Sequence, residues 1–327
     1  MFEREKEKLM ADGMHLRNYS DKKRNNKELV MIAVRQNGCA LEFASDDLKN
    51  DKDVVLAAVR QTGYALQHTT DELKNDKDVV IEAVSQRGCA LRYASPKMRN
   101  NKDVVLKAIE QNGYALRYAS PRLRNDKDVV FEAINQYAYA LEYANDALKG
   151  DKDVVLKTVN RCGGALQSVS REIRGDRDVV FAAVNNNGDA LRFANTELQN
   201  DKDVVIAAVR QWGPALQYAS DNLRNDRDVV LAAIEQNGFA LDYASRGLKG
   251  DKDVVLKAVE QDGRVLKFAN IELRGDRDIV LAAANQDIEA LRYAVYSKDG
   301  NIALEDAILK DAALKDVILN AVEKLYS

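Results

Sequence analysis

Arginine and tyrosine side chains occur together between residues 76 and 125, and this combination could bind an anionic partner. Residues 76–100 carry five basic and three acidic side chains, and residues 101–125 carry five and two. The next stretch, residues 126–150, carries two basic side chains against five acidic ones. Guanidinium groups pair with carboxylates and phosphates, and aromatic rings stack on cations and on bases. The pattern predicts a basic band that binds an acidic peptide or an acidic protein surface.

The basic band is accompanied by aromatic residues that recur at a fixed place in the chain. Tyr93 and Tyr118 belong to a position that is aromatic in most successive 25-residue segments. A solvated basic face beside structural tyrosines is therefore the alternative interpretation. The basic side chains of the band are Arg87, Arg92, Arg99, Lys107, Arg117, Arg122 and Arg124.

Residues suited to catalysis or metal binding are scarce. His15 and His68 are the only histidines, and neither lies in a motif with a nucleophile or a carboxylate. The glycines are regularly spaced and do not cluster into a phosphate-binding loop. Cys39 and Cys89 are too far apart for simple metal ligation, and three cysteines are too few for a disulfide framework. We predict no enzyme activity, no catalytic residue, no metal site and no cofactor.

The elements that position these residues follow from an internal repeat of 25 residues. From Asn26 onward the chain divides into eleven such repeats, residues 26–300, without insertion or deletion. DKDVV begins at Asp51 and returns at Asp126, Asp151, Asp201 and Asp251. A repeat this short cannot bury its apolar face alone and must stack on its neighbours. The sequence therefore predicts an all-α solenoid, which we expect to form a right-handed superhelix.

Within a repeat, apolar spacing and capping residues predict three helical segments. In residues 51–75 a helix is expected from about Lys52 to Thr62, with Gly63 closing it in a left-handed turn. A second, shorter helix follows, and a serine position then caps a third segment of one turn. At each corner between repeats, a basic residue followed by an acid is expected to form a ladder of cap and ion-pair contacts. A leucine occupies one position of all eleven repeats and should form a continuous core. The leucines are Leu41, Leu66, Leu91, Leu116, Leu141, Leu166, Leu191, Leu216, Leu241, Leu266 and Leu291.

The ends and one interior corner depart from the repeat. Residues 1–25 form a degenerate repeat, which we interpret as an N-terminal cap. Residues 301–327 have the pattern of one or two amphipathic helices, interpreted as C-terminal capping helices, with a partner-docking helix as the alternative. At Tyr137-Ala138 the usual Asn-Gly is missing, so the first two helices of that repeat are expected to run together or bend.

Positions that vary between repeats are the candidate binding surface, because solenoids bind partners along faces of fixed pitch. Two such columns, each a set of equivalent positions in successive repeats, follow the glycine and the leucine. Trp212 also replaces a usually polar residue; exposed, it would be a binding hot spot, and packing on Pro214 is the alternative. The predicted partner-binding residues are Tyr64, Arg92, Tyr114, Arg117, Arg122, Tyr139 and Trp212.

Charge and terminal composition bound the location and the partner class. The net charge of −3 argues against a protein that binds nucleic acid through its overall charge. The N-terminal segment MFEREKEKLMADG is charged from its third residue and lacks the apolar core of a signal peptide. No apolar run approaches the length of a transmembrane helix. These features predict a cytoplasmic or otherwise intracellular location and no membrane span.

The repeated string resembles a known microbial family. ALRYASPRLRNDKDVV, at residues 115–130, returns as ALEFASDDLKNDKDVV and ALQYASDNLRNDRDVV. These elements are similar to the tandem helical repeats of domain of unknown function 4116, and the resemblance extends over residues 26 to about 295. The resemblance implies an α-helical repeat and carries no catalytic residue with it.

Three functions are compatible with this pattern. The first is a non-enzymatic protein-interaction or structural scaffold that binds partners through its variable columns. The second is a structural subunit or linker of a larger assembly. The third is a single-stranded nucleic-acid binding repeat protein, against which the negative net charge and the irregular variable columns argue.

Overall fold

The computed structural model describes residues 2–294, and every regular element in that range is helical. Contacts within the chain define two compact units, an N-terminal unit that ends at Thr158 and a C-terminal unit that begins at Val159. Both units are built from the same 25-residue repeat, so the predicted all-α repeat fold is confirmed. The predicted capping helices at 301–327 and the end of the eleventh repeat lie outside the described residues.

Each repeat opens with its longest helix, capped at its N-terminus by an aspartate or asparagine. Asp76 Oδ1, for example, accepts hydrogen bonds from the amides of Asp78 and Val79. Such caps satisfy amides that have no partner inside the helix. In the described part of the chain the long helices are Phe2–Ala11, Lys27–Gln36, Lys52–Gln61, Lys77–Gln86, Lys102–Gln111, Lys127–Gln136, Lys152–Arg161, Arg177–Asn186, Lys202–Gln211, Arg227–Gln236, Lys252–Val259 and Arg277–Gln286.

The second segment is a 3-10 helix of six residues. The sequence predicts a short helix here, and the structure shows that it has the tighter 3-10 form. The one-residue corner before it is extended, as at Thr62 with φ −146° and ψ 105°. These 3-10 helices are Gly13–Asn18, Gly38–Phe43, Gly63–His68, Gly88–Tyr93, Gly113–Tyr118, Ala138–Tyr143, Gly163–Ser168, Gly188–Phe193, Gly213–Tyr218, Gly238–Tyr243, Gly263–Phe268 and Ile288–Tyr293.

The third segment is a single helical turn, as predicted. Ser95 Oγ accepts a hydrogen bond from Met98 N–H and Pro96 is the first residue of the turn, which confirms the Ser-Pro signature. In some repeats the turn is α-helical: Asp21–Arg24, Asp46–Lys49, Pro96–Arg99, Asp146–Lys149 and Asp221–Arg224. In others it is 3-10: Leu73–Asn75, Leu123–Asn125, Ile173–Gly175, Leu198–Asn200, Leu248–Gly250 and Leu273–Gly275.

The core lies between the long helices and the 3-10 helices. Leu116 is fully buried, as are the other members of the leucine column, of which Leu291 retains only 1% exposure. From Lys27–Gln36 onward, the long helix of each repeat contributes four or five buried residues at helical spacing. In the second repeat the fully buried apolar residues are Val54, Val55, Ala58, Val59, Ala65 and Leu66. Burial of one such stripe against the next repeat is what stabilises these short helices.

Successive repeats are also joined by hydrogen bonds that recur at the same places. The amide of Ser95 donates to the carbonyl of Lys74 at 2.9 Å, and its hydroxyl donates to Asn75 Oδ1 at 2.8 Å. The amide of Gly88 donates to Gln111 Oε1 at 2.6 Å. These bonds satisfy backbone groups at the corners, which would be costly to bury without a partner.

The predicted ladder of charged residues is confirmed. Lys52 Nζ lies 2.7 Å from Asp76 Oδ2 and 3.0 Å from Asp78 Oδ2 in the next repeat. Lys52 thus bridges the N-cap and the first-turn acid of the following long helix. The same bridge is made by Lys27, Lys102, Arg177, Lys202, Arg227 and Lys252.

Gly63 does not close the first helix through a left-handed turn, and that prediction is wrong. The helix ends at Gln61, and Gly63 is the first residue of the 3-10 helix, with φ outside the left-handed region. Glycine is needed for packing, because an ideal Cβ at Gly63 would lie 2.4 Å from the carbonyl oxygen of Ala83 in the next repeat. The long helix of each repeat therefore sits directly against the backbone of the preceding 3-10 helix.

The corner at Tyr137-Ala138 keeps the geometry of its neighbours, so the expected merging or bending of helices does not occur. The long helix ends at Gln136, and Tyr137 is extended with φ −151° and ψ 104°. Ala138 is half-buried, whereas the glycines at this position of the other repeats are buried. The extended residue sets the corner, and glycine determines how closely the next helix approaches.

The ion-pair ladder predicts a dependence of stability on pH. Partial burial alone would raise the pKa of Asp76, but the Lys52 ammonium and the amides of Val79 and Asp78 outweigh it and lower the pKa below its usual value. The pKa of Lys52 is raised by its hydrogen bonds to the two aspartates. The carboxylates therefore contribute stability above their unfolded pKa of about 3.9 and lose it as the pH falls through the lower folded values. The lysine contribution is lost as the pH rises through a folded pKa above 10.5.

We expect the thermal unfolding midpoint to be level near neutral pH and to fall below about pH 4. Replacing Asp76, Asp126 and Asp226 with asparagine should flatten this acid limb, because the asparagine side chain does not titrate. Asn101 occupies the same position and still caps its helix by accepting from Val104 N–H, so the folded state should tolerate the change. Calorimetry from pH 3 to pH 7 checks it, and an acid limb as steep as that of the parent protein would contradict it.

Candidate interaction surface

The six-residue 3-10 helices carry the columns that vary between repeats. In Gly113–Tyr118, Leu116 is buried, Tyr114 is half-buried and Arg117 is exposed. The shape of the 3-10 turn thus directs the constant residues to the core and the variable ones to solvent. This surface is the candidate functional site.

Tyrosine rings on this surface of the N-terminal unit contact one another edge to face. The rings of Tyr64 and Tyr93 have centroids 6.0 Å apart, and those of Tyr114 and Tyr143 are 5.1 Å apart. Tyr114 also lies 6.2 Å from Tyr118. These separations fall in the range in which edge-to-face pairs are attractive.

Arginines stack on the same rings. The guanidinium carbon of Arg92 lies 4.9 Å from the ring centroid of Tyr93 and 6.0 Å from that of Tyr118. Arg87 lies 5.1 Å from the ring of Tyr64. The combined set is called the tyrosine–arginine cluster below, and it consists of Tyr64, Arg87, Arg92, Tyr93, Tyr114, Arg117, Tyr118 and Tyr143.

Arg117 is held by two tyrosines. Its guanidinium carbon lies 5.8 Å from the ring centroids of both Tyr114 and Tyr143, and it donates a hydrogen bond to the Tyr114 hydroxyl. This hydrogen bond, with a second from Tyr143, lowers the pKa of Tyr114. Burial and then the contact with Tyr114 raise the pKa of Tyr143 to about 12. The arginines supply the positive charge of the cluster, since a tyrosine side chain is neutral or negative in either protonation state.

The charge of these arginines is not neutralised inside the protein. Within residues 2–294, Arg87, Arg92 and Arg117 form no ion pair with a carboxylate. Stacking occupies the flat face of a guanidinium group and leaves N–H donors at its edge. The cluster can therefore offer ordered, charged donors to an anionic ligand.

The corresponding surface of the C-terminal unit differs in this respect. Arg192 Nε lies 3.3 Å from Asp189 Oδ2, although it also stacks on Phe193 at 4.4 Å. Arg264 pairs with Asp262 at 2.6 Å. Internal carboxylates thus neutralise these two arginines.

The structure places the other predicted partner-binding residues outside the cluster. Trp212 is half-buried, with its ring centroid 6.4 Å from that of Tyr218. The Tyr139 ring lies 5.7 Å from that of Tyr137. Arg122 lies on the one-turn segment and donates to Asn100 Oδ1 at 3.0 Å and to the Asn100 carbonyl at 3.1 Å. Arg122 therefore holds a corner of the preceding repeat.

The basic residues of 76–125 are divided among different surfaces. Arg87, Arg92 and Arg117 belong to the cluster, whereas Lys107 lies on a long helix and pairs with Glu110 at 2.8 Å. Arg99 and Arg124 lie in one-turn segments with a buried Nε that has no hydrogen-bond partner among the described residues. The expected basic band is therefore reduced to three arginines on one surface.

Tyr143 was not among the predicted binding residues, although the sequence contains a signal for it. The residue after the glycine contacts the aromatic column of the next repeat, 29 positions later. Tyr64 with Tyr93 and Tyr114 with Tyr143 follow this spacing. Phe239 and Phe268 do so in the C-terminal unit, with centroids 6.1 Å apart. A search for aromatic pairs at this spacing would have found the cluster.

Other candidate chemistry gains no support from the geometry. Burial raises the pKa of the Cys89 thiol, so that less of the reactive thiolate is present at neutral pH. Burial lowers the pKa of His68, which occupies the aromatic column. In the described range no group of three or more metal-ligating side chains is arranged to hold an ion. Among the helices of residues 2–294, none combines the length and apolar character needed to span a membrane.

Comparison with protein families gives one repeated match. The model described as Domain of unknown function (DUF4116) matches residues 10–49, 26–73, 51–99, 101–149, 151–199, 201–249 and 251–295. The first three segments overlap, the others follow in tandem, and together they cover most of the chain. A comparison with curated proteins gives no match.

Proposed function

The chain belongs to the DUF4116 family of tandem helical repeats, and we propose that it is a non-enzymatic protein-interaction scaffold. Its N-terminal unit binds an acidic segment of a partner protein through the tyrosine–arginine cluster. The observation that carries this proposal is the set of stacked arginines that lack a carboxylate partner within residues 2–294.

The stacked arginines favour carboxylates for an energetic reason. A surface lysine or arginine loses side-chain entropy when it binds, and this loss offsets much of the gain from an exposed ion pair. Arg92 and Arg117 are already ordered against tyrosine rings, so less entropy remains to be lost. Planar guanidinium groups also bind carboxylates with two hydrogen bonds at once. The cluster is therefore suited to glutamate or aspartate side chains.

Charges beside the cluster limit the extent of the partner. The column that contains Arg92 and Arg117 holds Glu42 before them and Glu142 after them, with Gln67 between Glu42 and Arg92. The carboxylates of Glu42 and Glu142 would repel an acidic ligand that extended beyond the two arginines in either direction. The acidic segment that this surface accepts therefore spans about the width of two repeats.

We also propose that the chain has no enzymatic activity, on the basis of the residue types on this surface. It offers tyrosines and arginines, which bind anions, but no nucleophile paired with a base. A structural subunit of a larger assembly would use the same surface for a permanent partner. Single-stranded nucleic acid would also meet stacked rings and arginines, and the test below distinguishes it from an acidic peptide.

Replacing both Arg92 and Arg117 with glutamate is expected to weaken the binding of an acidic peptide strongly. A fluorescein-labelled peptide of alternating glutamate and glycine serves as the probe, followed by anisotropy at low ionic strength. The double charge reversal should weaken binding by at least about tenfold, because two attractive contacts become repulsive. Binding to the parent protein should also weaken with added salt.

Arg122→Glu is the matched control, since it changes an equally exposed arginine of the same stretch that lies outside the cluster. It should leave peptide binding within about twofold of the parent value. Equal loss in the control and in the double variant would show that only overall charge matters and would contradict the site. Tighter binding of oligouridylate than of the acidic peptide would favour the nucleic-acid alternative.

A further inference from the structure

A second surface of the repeat has an apolar residue that the core does not explain. The third residue after the first acid of each long helix is apolar in all eleven repeats, yet it remains half-buried or exposed. The side opposite the buried stripe of an amphipathic helix is ordinarily polar. These residues are Met31, Leu56, Ile81, Leu106, Phe131, Leu156, Phe181, Ile206, Leu231, Leu256 and Leu281.

A long side chain of the next helix can cover this apolar residue. Lys157 Nζ lies 4.3 Å from the ring centroid of Phe131. Glu82 occupies the same position as Lys157 in its own helix and reaches across to Arg60 at 3.3 Å. At Ala57 and Ala207, where the position holds alanine, the space between adjacent helices is open.

Such an opening occurs in the N-terminal unit between Lys27–Gln36 and Lys52–Gln61. A groove of about 490 Å³ lies there, with Met31, Leu56 and Ala57 among its lining residues. Arg35 and Arg60 line the same groove near the C-terminal ends of the two helices. We call it the first groove.

The C-terminal unit has an equivalent groove between Arg177–Asn186 and Lys202–Gln211. It measures about 550 Å³, and Phe181, Ile206 and Ala207 line it at the positions that correspond to the three apolar residues of the first groove. We call it the second groove. Arg210 stands at the place of Arg60, because the strings LAAVRQ at 56–61 and IAAVRQ at 206–211 differ in one aliphatic residue. Two openings with the same lining indicate one recognition chemistry.

The free charge of both grooves is positive. Asp53 lines the first groove, but its carboxylate is paired with Lys27 at 3.2 Å. Asp203 lines the second groove and is paired with Arg177 at 2.8 Å. Each acid is therefore neutralised at one end of its groove. At the other end an arginine forms no ion pair with a carboxylate of residues 2–294, namely Arg35 in the first groove and Arg210 in the second. An apolar floor with a basic end is complementary to an apolar side chain flanked by a carboxylate.

We propose that these two grooves are docking sites for an amphipathic helix of a partner protein, with leucine-like anchors on one face and an acidic residue beside them. The helices that border each groove bond their own backbone groups, so no strand edge is available to an extended peptide. A helix satisfies its own backbone and can lay an apolar ridge between two others, as helices do when they pack. The proposal is independent of the tyrosine–arginine cluster, which lies on the 3-10 helices.

The two grooves differ in one charged residue, and this difference gives them an order of affinity. The first groove has Arg35 beside the first helix, where the second groove has Asn185. Arg60 in the first groove shares its charge with Glu82, and that exposed pair is weak enough to be exchanged for a ligand carboxylate. We therefore infer that the first groove binds the acidic helix more tightly than the second.

The test uses the full chain and two synthetic model helices. Both have leucine at helical spacing and alanine between, and one carries glutamate and the other lysine at the flanking positions. Isothermal titration should show two sites for the glutamate helix and at least tenfold weaker binding of the lysine helix, since charge reversal converts an attraction into a repulsion. Ala57→Glu should remove the tighter site, Ala207→Glu the weaker one, and the double variant both.

The glutamate substitutions are compatible with folding, because Glu82 and Glu132 occupy the same position in other repeats. Ala282→Glu is the matched control. In the helix before Ala282, Glu260 occupies the position that holds Arg35 in the first groove and Asn185 in the second. The control substitution should leave both groove sites intact. Binding that survives in Ala57→Glu/Ala207→Glu, or equal binding of the two model helices, would overturn the proposal. Loss of binding in the Arg92→Glu/Arg117→Glu variant would also overturn it, because the helix would then be docking on the other surface.

Discussion

Replacing Leu116 with aspartate is expected to lower the unfolding free energy of the N-terminal unit by about 4 kcal/mol or more. Leu116 is fully buried in the 3-10 helix Gly113–Tyr118, between the long helix of its own repeat and that of the next. The change removes a large apolar side chain, leaves a cavity and places a carboxylate in the apolar core. Each repeat depends on its neighbours for burial, so the contact between two repeats is lost as well as the packing of one.

Denaturation in guanidinium chloride, followed by far-UV circular dichroism, measures this effect. The transition of the variant should move to lower denaturant and become broader, because repeats on either side of the defect no longer unfold together. Leu106→Asp is the matched control, as this leucine of the same repeat is only half-buried on the long helix. The control should lose less than about 1.5 kcal/mol. Equal transitions for the two variants would refute a core built on the leucine column.

The second large effect is expected for Gly88→Ala. An ideal Cβ at residue 88 would lie 2.3 Å from the carbonyl oxygen of Ala108 and 3.0 Å from Gln111 Oε1. The obstacle is backbone, which cannot rotate away, so the long helix of the next repeat must move. Movement would also lengthen the 2.6 Å hydrogen bond from the Gly88 amide to Gln111. Overpacking of this kind costs roughly 1–3 kcal/mol, and more where backbone must shift.

Gly247→Ala provides the control for this experiment. Its φ of −61° and ψ of −49° are helical, and the nearest atom to an added Cβ would be 3.5 Å away. Alanine should therefore be neutral or stabilise the fold by up to about 1 kcal/mol, through the reduced entropy of the unfolded chain. Denaturation midpoints of the two variants check this, and a Gly88→Ala midpoint equal to that of the parent protein would show that the repeats are more loosely packed than described.

The period of the chain was sufficient to predict the class of fold, because identical columns can be buried only by stacking. The N-caps, the serine position before Pro96 and the ion-pair ladder also followed from residue types at fixed places. What the sequence could not supply was the partner of each contact. Gly63 has the pattern of a helix C-cap, and only the position of the Ala83 carbonyl reveals that it is a packing glycine.

The candidate surfaces were predictable to a lesser extent, for a related reason. Net charge over residues 76–125 identified a basic stretch, but a helical repeat turns successive side chains toward different surfaces. Lys107 and Arg122 therefore lie on elements other than the 3-10 helices that carry Arg92 and Arg117. The grooves were missed because the column of Leu56 and Ile206 has the residue types of a core, and its partial exposure depends on the small alanine of the adjacent helix.

The contacts between repeats also explain how this chain can have grown. The amide of a serine reaches back 21 residues, a lysine ammonium reaches forward 24 and 26, and a glycine amide reaches forward 23. An inserted or deleted residue would shift all of these partners at once, whereas duplication of a whole repeat leaves every distance unchanged. These contacts therefore favour growth of the chain in steps of one whole repeat.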